Sequence, residues 1–224
     1  MTIDKAFLTD IIKEFAHKDV IFRNEAQFQF DLAWKMREKL TEANVEFAIH
    51  LEMQLSQEVA NEYTDIVIEI GDELIPIELK YKLADKRVKY VADNDEIITQ
   101  VQSAPDYGCY DYWKDVYRIE KNLGHKYKGK CVKKGFAIII ANYHLYWDKS
   151  NRQTSKWQGL CIEDNTKSCE IYDGLSSCRE RNEPIKLTGK YDIKWENYTT
   201  SYREVVNGRT EHPFRYLILS IPEK

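Results

Sequence analysis

No apolar run in this 224-residue sequence approaches the ~20 residues that a membrane-spanning helix needs. The first twenty residues carry acidic side chains where a signal peptide would carry an apolar segment. The sequence also contains no internal repeat, no low-complexity tract and no linker rich in Pro, Gly or Ser. We therefore expect a single domain over residues 1–224, in the cytoplasm and without a membrane span.

Cysteine and histidine are too few and too scattered to indicate a metal site of their own. The five cysteines form no C-x-x-C pair, and their odd number suggests neither a disulfide framework nor a zinc site. The five histidines lack the H-x-x-x-H spacing that places two ligands on one helical face. Reduced thiols and no histidine-rich centre are expected.

Charge is unevenly distributed around a net value of −4. Residues 81–160 hold 15 Lys and Arg against 9 Asp and Glu, so the middle of the chain is locally basic. Within it, residues 121–135 (KNLGHKYKGKCVKKG) contain six lysines and no acid. Such a run either contacts phosphates or forms an ordinary solvated loop. The lysines of this run that we take as candidate nucleic-acid ligands are Lys126, Lys128, Lys130, Lys133 and Lys134.

Hydrophobic periodicity predicts an α/β fold, with a mixed sheet flanked by helices. Asn24 is a plausible N-cap for the second helix, whose apolar face is expected to include Phe30 with Trp34 beside it. The predicted helices cover residues 2–17, 24–40 and 94–123, the last broken near Pro105. The predicted strands cover residues 47–55, 63–70, 74–81, the first half of 135–147, 169–172, 190–195 and 214–222.

Residues 63–82 (YTDIVIEIGDELIPIELKYK) read as a β-hairpin whose two-residue turn is Gly71-Asp72, with Gly at the first position of a type II′ turn. The residue numbers of antiparallel partners then sum to 143, which places Ile66 opposite Ile77 and Asp65 opposite Glu78. A three-residue loop or a bulge would shift the pairing by one and separate the two carboxylates. Pro76 also hints at an edge or a bulge.

Alternation places the isoleucines of this hairpin on one face and gathers Asp65, Glu78, Lys80 and Lys82 on the other. Opposed carboxylates destabilise a sheet unless a positive group lies between them, and a divalent cation would satisfy both. Mg²⁺ prefers such oxygen ligands and activates water for phosphodiester hydrolysis, which an adjacent lysine can assist. The same residues are also compatible with ordinary surface charges on a half-exposed hairpin.

With Asp65 at the end of one strand, Glu78-Leu79-Lys80 on the next and Glu25 on an early helix, the sequence resembles the PD-(D/E)XK nuclease superfamily. Its restriction-endonuclease-like fold would cover about residues 20–147. Residues 148–224 have no counterpart and would form an extension that completes the sheet. Thr64 stands where the eponymous Pro would be.

The resemblance implies a metal-dependent nuclease that acts on DNA, with RNA not excluded, in defence, repair or mobile-element biology. Asp65, Glu78, Lys80 and Glu25 would be catalytic, and the three carboxylates would bind Mg²⁺ or Mn²⁺. Gln29 shares a helical face with Glu25.

Further nucleic-acid contacts are expected from Lys82 and Gln100. Some relatives carry a Gln-x-x-x-Tyr on the helix that follows, but Gln102 and Tyr107 are one residue too far apart for that motif. Many relatives dimerise, so a homodimer is an expected alternative, although the sequence identifies no dimer face. Two other readings stay open: a catalytically inactive nucleic-acid- or protein-binding module of the same fold, and a purely structural α/β protein.

Overall fold

The computed structural model describes most of the chain: residues 1–55, 62–84, 89–92, 95–98, 102, 104–148, 160, 162–174, 178–198 and 213–222. Within these residues, no helix combines the length and the apolar character that crossing a bilayer requires.

The described residues contain three α-helices and fourteen strands, several of them only two residues long. The helices are α1 (Lys5–His17), α2 (Glu25–Glu42) and α3 (Pro105–Asn122). The longer strands are β1 (Ala48–Met53), β2 (Thr64–Ile70), β3 (Glu73–Lys82), β4 (Lys89–Ala92), β5 (Asp95–Ile98), β8 (Lys134–Ala141) and β14 (Arg215–Pro222). The short strands are β6 (Lys126–Tyr127), β7 (Lys130–Val132), β9 (Thr166–Lys167), β10 (Ile171–Tyr172), β11 (Ile185–Lys186), β12 (Asp192–Ile193) and β13 (Glu196–Asn197).

A mixed sheet with the strand order β1-β2-β3-β8-β14-β13 forms the middle layer of the molecule. Helices α1 and α2 pack on one face, over Ile66, Ile77 and Ile138. Helix α3 packs on the other face, together with side chains from the segment between residues 160 and 195. The expected mixed α/β architecture, with helices on both sides of the sheet, is therefore confirmed. Strand β14 pairs with β8 along eight residues, so the C-terminal part of the chain contributes to the central sheet.

The two N-terminal helices lie where periodicity predicts them, and each is capped by a side chain. Asp4 Oδ1 accepts the Phe7 N–H, and Asn24 Oδ1 accepts the Gln27 N–H. The predicted apolar face of α2 is right at Ala33 and Leu40, which are buried, and wrong at Phe30 and Trp34, which are 56% and 50% exposed. The face that packs on the sheet joins Leu40 with three further fully buried side chains, Phe28, Leu32 and Met36.

The predicted helical region 94–123 is wrong in its first part. Residues Asp95–Ile98 form β5, which pairs with β4 as a hairpin, and α3 begins only at Pro105. The β-branched Ile97 and Ile98 favour an extended backbone, and Pro105 can begin a helix but cannot continue one. The second half is helical as predicted, and its side chains Tyr112 and Ile119 are almost fully buried.

The hairpin of β2 and β3 has the predicted turn and register. Gly71 has a φ of +57° and Asp72 is not in the left-handed region, which is the pattern of a type II′ turn. Five of the six expected pairs are formed, from Ile70–Glu73 to Ile66–Ile77. The sixth, Asp65 opposite Glu78, is not a ladder pair.

Pro76 is tolerated in β3 because neither β7 nor β8, the strands on the side away from β2, pairs with this residue. Strand β3 pairs with β7 through Glu73 and Leu74, and with β8 from Ile77 onward. The missing N–H of Pro76 falls in the gap between these two ladders. The hairpin therefore keeps its register through the proline.

Candidate active site

The predicted catalytic side chains meet at the end of the hairpin remote from its turn, beside α3 and the start of α2. Six residues form what we call the charged cluster: Glu25, Asp65, Glu78, Lys80, Asp115 and Arg118.

Asp65 is held in place by its backbone and by its side chain. Where the expected pair with Glu78 would continue the ladder, the Leu79 N–H donates instead to Asp65 Oδ2 at 2.6 Å. Gln29 on α2 donates its amide N–H to the Asp65 carbonyl oxygen at 2.6 Å and to Glu52 at 2.8 Å. These bonds leave Asp65 Oδ1 without a hydrogen bond among the described residues.

Glu25 reaches the same end of the hairpin from the first turn of α2. Its Oε2 accepts the Tyr81 N–H at 2.8 Å, next to Lys80 in the chain. Glu25 and Gln29 share a helical face, as the sequence predicts, and both contact the hairpin.

Helix α3 adds two charged side chains that sequence reasoning missed. Lys80 Nζ lies 2.6 Å from Asp115 Oδ2, and Arg118 Nη2 lies 2.7 Å from Asp115 Oδ1. The same Arg118 nitrogen lies 2.8 Å from Glu78 Oε2. Together they form a chain of alternating charges, Lys80–Asp115–Arg118–Glu78, across the α3 face of the hairpin.

The cluster is largely shielded from water. Glu78 is 2% exposed, and the side chains of Asp115 and Lys80 are 6% and 13% exposed. The close contacts at Glu78 Oε2 and Asp115 Oδ2 are charge pairs that are not aligned as hydrogen bonds. Both oxygens therefore retain acceptor capacity in a buried place, where an unmet acceptor is costly.

Burial perturbs the two hairpin carboxylates. It raises the pKa of Asp65 from 3.8 to about 6, against the opposing effects of the Lys80 charge and the Leu79 N–H. Burial also raises the pKa of Glu78 well above its ordinary value, and the nearby charge of Asp115 adds to this. Burial is the main cause of both shifts, and the nearby cations only partly stabilise the ionised forms of these carboxylates.

The lysine is perturbed in the opposite sense. Burial acts to lower the pKa of Lys80, but the charges of Asp115, Glu25 and Asp65 outweigh it and leave that pKa above its ordinary value. Lys80 is therefore a fixed cation at neutral pH, suited to stabilise negative charge rather than to accept a proton.

The chemistry of the cluster fits a divalent cation, although its carboxylates are not gathered around one point. Four carboxylates face two cations, a formal excess of two negative charges in a mostly buried place. No three acidic, histidine or cysteine side chains among the described residues converge tightly enough to enclose an ion. Asp65 Oδ1 and the carboxylate oxygens of Glu78 and Glu25 that do not contact Arg118 or the Tyr81 N–H are the atoms that could bind Mg²⁺.

The remaining predicted nucleic-acid ligands are spread more widely. Lys82 lies one alternation beyond Lys80 on the same side of β3 and makes no ion pair with a described residue. Gln100 lies outside the described residues. Gln102 Oε1 accepts the Leu83 N–H at 3.0 Å, so this glutamine supports the chain just beyond the cluster.

The lysine-rich run lies at the turn end of the hairpin, away from the charged cluster. Lys130 Nζ lies 2.7 Å from Glu69 Oε1 and donates to the Gly71 carbonyl oxygen, and Lys133 pairs with Glu73 at 2.9 Å. Glu78 is five positions after Glu73 along β3, which corresponds to a distance of about 17 Å. Two of the five candidate lysines, Lys130 and Lys133, thus form ion pairs with nearby glutamates. The other three candidates are Lys126, Lys128 and Lys134.

The positions of Asp115 and Arg118 in the helical repeat of α3 provide a sequence signal for these two residues. Asp115 is three residues after Tyr112 and four before Ile119, so it lies on the stripe that packs against the sheet. An acid on a buried stripe, with Arg118 three residues on, indicates a buried partner on the facing strand. Which partner it meets depends on the sheet register, which the helix alone does not reveal.

Comparison with known proteins yields no relative: no family model, no curated protein and no solved structure matches this chain.

Proposed function

We propose that this protein is a metal-dependent nuclease of the PD-(D/E)XK superfamily that hydrolyses phosphodiester bonds in DNA, with Mg²⁺ or Mn²⁺ as its cofactor. The observation that carries the proposal is the charge excess of the cluster. Burial, with a smaller contribution from the neighbouring carboxylate charges, raises the pKa values of Asp65 and Glu78, and a divalent cation would stabilise their ionised forms.

The residues of the cluster divide into ligands and a charge stabiliser. Asp65, Glu78 and Glu25 would hold the cation through their remaining oxygens, and Lys80 would hold its ammonium group beside the scissile phosphate. Mg²⁺ held by these residues would polarise a phosphate oxygen and lower the pKa of a water bound to it. Because Lys80 remains protonated, its part is to orient the attacking water and to stabilise the charge that develops on the phosphate.

The decisive experiment measures cleavage of double-stranded DNA, single-stranded DNA and RNA with Mg²⁺, Mn²⁺ or EDTA. We expect metal-dependent cleavage that falls by at least about a hundredfold in Asp65→Asn and in Lys80→Ala. The exposed pair of Lys167 and Asp192 supplies matched controls, and Lys167→Ala and Asp192→Asn should cleave like the wild type. Unchanged cleavage in both cluster variants would refute the site.

A second candidate is a binding module of the same fold without catalytic activity. One observation favours it: Lys80 and Glu78 already have protein counterions, Asp115 and Arg118. Calorimetry separates the two, since this candidate predicts salt-sensitive DNA binding with no binding of Mn²⁺ by the folded protein.

A further inference from the structure

Lys80 pairs with one of the several carboxylates of the charged cluster that lie near it. Glu25, Asp65 and Asp115 all stabilise its charge, and Glu78 lies two residues away on the same side of the strand. Its only ion pair within the described part of the chain is with Asp115, and Nζ also donates to the Leu79 carbonyl oxygen at 3.0 Å. The ammonium group is thus drawn toward α3 and not toward the carboxylates of α2 and β2.

The identity of the carboxylate that pairs with Lys80 matters because an ammonium group competes with a metal ion for carboxylates. If Lys80 paired directly with Asp65 or Glu25, a fixed positive charge would occupy the position that a divalent cation needs. The cation would then have to break a buried ion pair before binding.

Asp115 is itself fixed in the position that attracts Lys80. It projects from the middle of α3, its side chain is 6% exposed, and Arg118 binds its other carboxylate oxygen at 2.7 Å from one helical turn away. Since Arg118 also contacts Glu78, helix α3 orients both the glutamate and the lysine of the E-x-K sequence.

We propose that Asp115 is a positioning residue that holds the Lys80 ammonium group against α3 and so leaves the carboxylates of Glu25, Asp65 and Glu78 available to a divalent cation. The inference rests on the proposed function, because those three carboxylates are the proposed metal ligands. Asp115 acts through Lys80 and contacts neither the cation nor the substrate.

A crystal structure of the metal-free Asp115→Asn variant tests the position of Lys80 directly. We expect Lys80 Nζ to move within hydrogen-bond distance of the Asp65 or the Glu25 carboxylate. If Nζ stays against residue 115, the proposal is overturned. This outcome does not depend on catalysis or on metal binding.

Mn²⁺ affinities of two charge-matched double variants test the consequence. Asp115→Asn/Lys80→Gln and Asp115→Asn/Arg118→Gln both keep the formal charge of the wild-type cluster, but only the first removes the competing ammonium group. Each change removes a cation and an anion together, which limits the penalty of an unpaired buried charge.

By calorimetry, we expect Asp115→Asn/Lys80→Gln to bind Mn²⁺ within about tenfold of the wild type. The Asp115→Asn/Arg118→Gln variant should bind at least about tenfold more weakly than that. Equal affinities of the two double variants would overturn the role of Asp115. Absence of Mn²⁺ binding by the wild type would refute the proposed nuclease, while the position of Lys80 in Asp115→Asn would still decide whether Asp115 positions the lysine.

Discussion

The substitution Asp65→Asn is expected to stabilise the metal-free protein at neutral pH. The Asp65 carboxyl has a pKa of about 6 in the folded state against 3.8 when it is free of the fold. The folded state therefore holds this proton more tightly, and stability is lost as pH rises from about 4 through 6. A shift of this size corresponds to about 3 kcal/mol at pH 7.5, taken as an upper value.

Asparagine removes this penalty but weakens one hydrogen bond. Its amide oxygen can still accept the Leu79 N–H, at a cost of about 1 kcal/mol relative to the protonated carboxyl group. The net expectation in EDTA is a variant about 1 kcal/mol less stable than the wild type at pH 4 and about 2 kcal/mol more stable at pH 7.5. Relief of the repulsion felt by Glu78 acts in the same direction.

Urea denaturation in EDTA between pH 4 and 8 measures this difference at each pH. The exposed Asp192→Asn variant is the control and should stay within about 0.5 kcal/mol of the wild type throughout. Mg²⁺ should reverse the order at pH 7.5, since a cation at about 100 times its dissociation constant adds about 2.7 kcal/mol to the wild type. A variant less stable than the wild type at every pH would refute the electrostatic reasoning.

Three other perturbations have expected outcomes. Replacing Arg118 by Met should destabilise the protein by about 3–5 kcal/mol in urea denaturation, because Glu78 is left as a buried charge without its counterion. Gly71→Ala should cost about 1 kcal/mol in the same assay, since a Cβ is unfavourable at φ +57° although nothing crowds it. Replacing Lys130 and Lys133 by Met should leave the midpoint of urea denaturation nearly unchanged, because these ion pairs are partly exposed. If the two lysines bind phosphate, each loss lowers the salt slope of DNA binding by about one.

The hairpin could be predicted from sequence because its information is local. Gly71 selects the turn, and the alternation of isoleucines fixes the register, since a one-residue slip would move the apolar side chains of β2 to the wrong face. The phase of α2 could not be read as easily. Phe28 and Phe30 are both apolar, and only the tertiary contacts show that Phe28 enters the core while Phe30 stacks on exposed Trp34.

The α3 half of the charged cluster depends on non-local contacts. Asp115 meets Lys80 because β3 lies beside β8 in parallel and α3 packs across both strands. Neither fact follows from a short sequence pattern. The structure of the segment before Pro105, which was predicted as helix, also depends on pairing, because β5 is stabilised as a strand by its pairing with β4.

The charged cluster is a poor way to stabilise a fold. Glu78 and Asp115 are acids in places where apolar side chains of similar volume would pack without a desolvation cost. Lys80 and Arg118 offset only part of that cost, as the raised pKa values of Asp65 and Glu78 show. Groups that cost stability and converge on one place are expected where binding or catalysis needs them. A gain of stability in metal-free Asp65→Asn, reversed by Mg²⁺, would therefore support a functional site before any substrate is known.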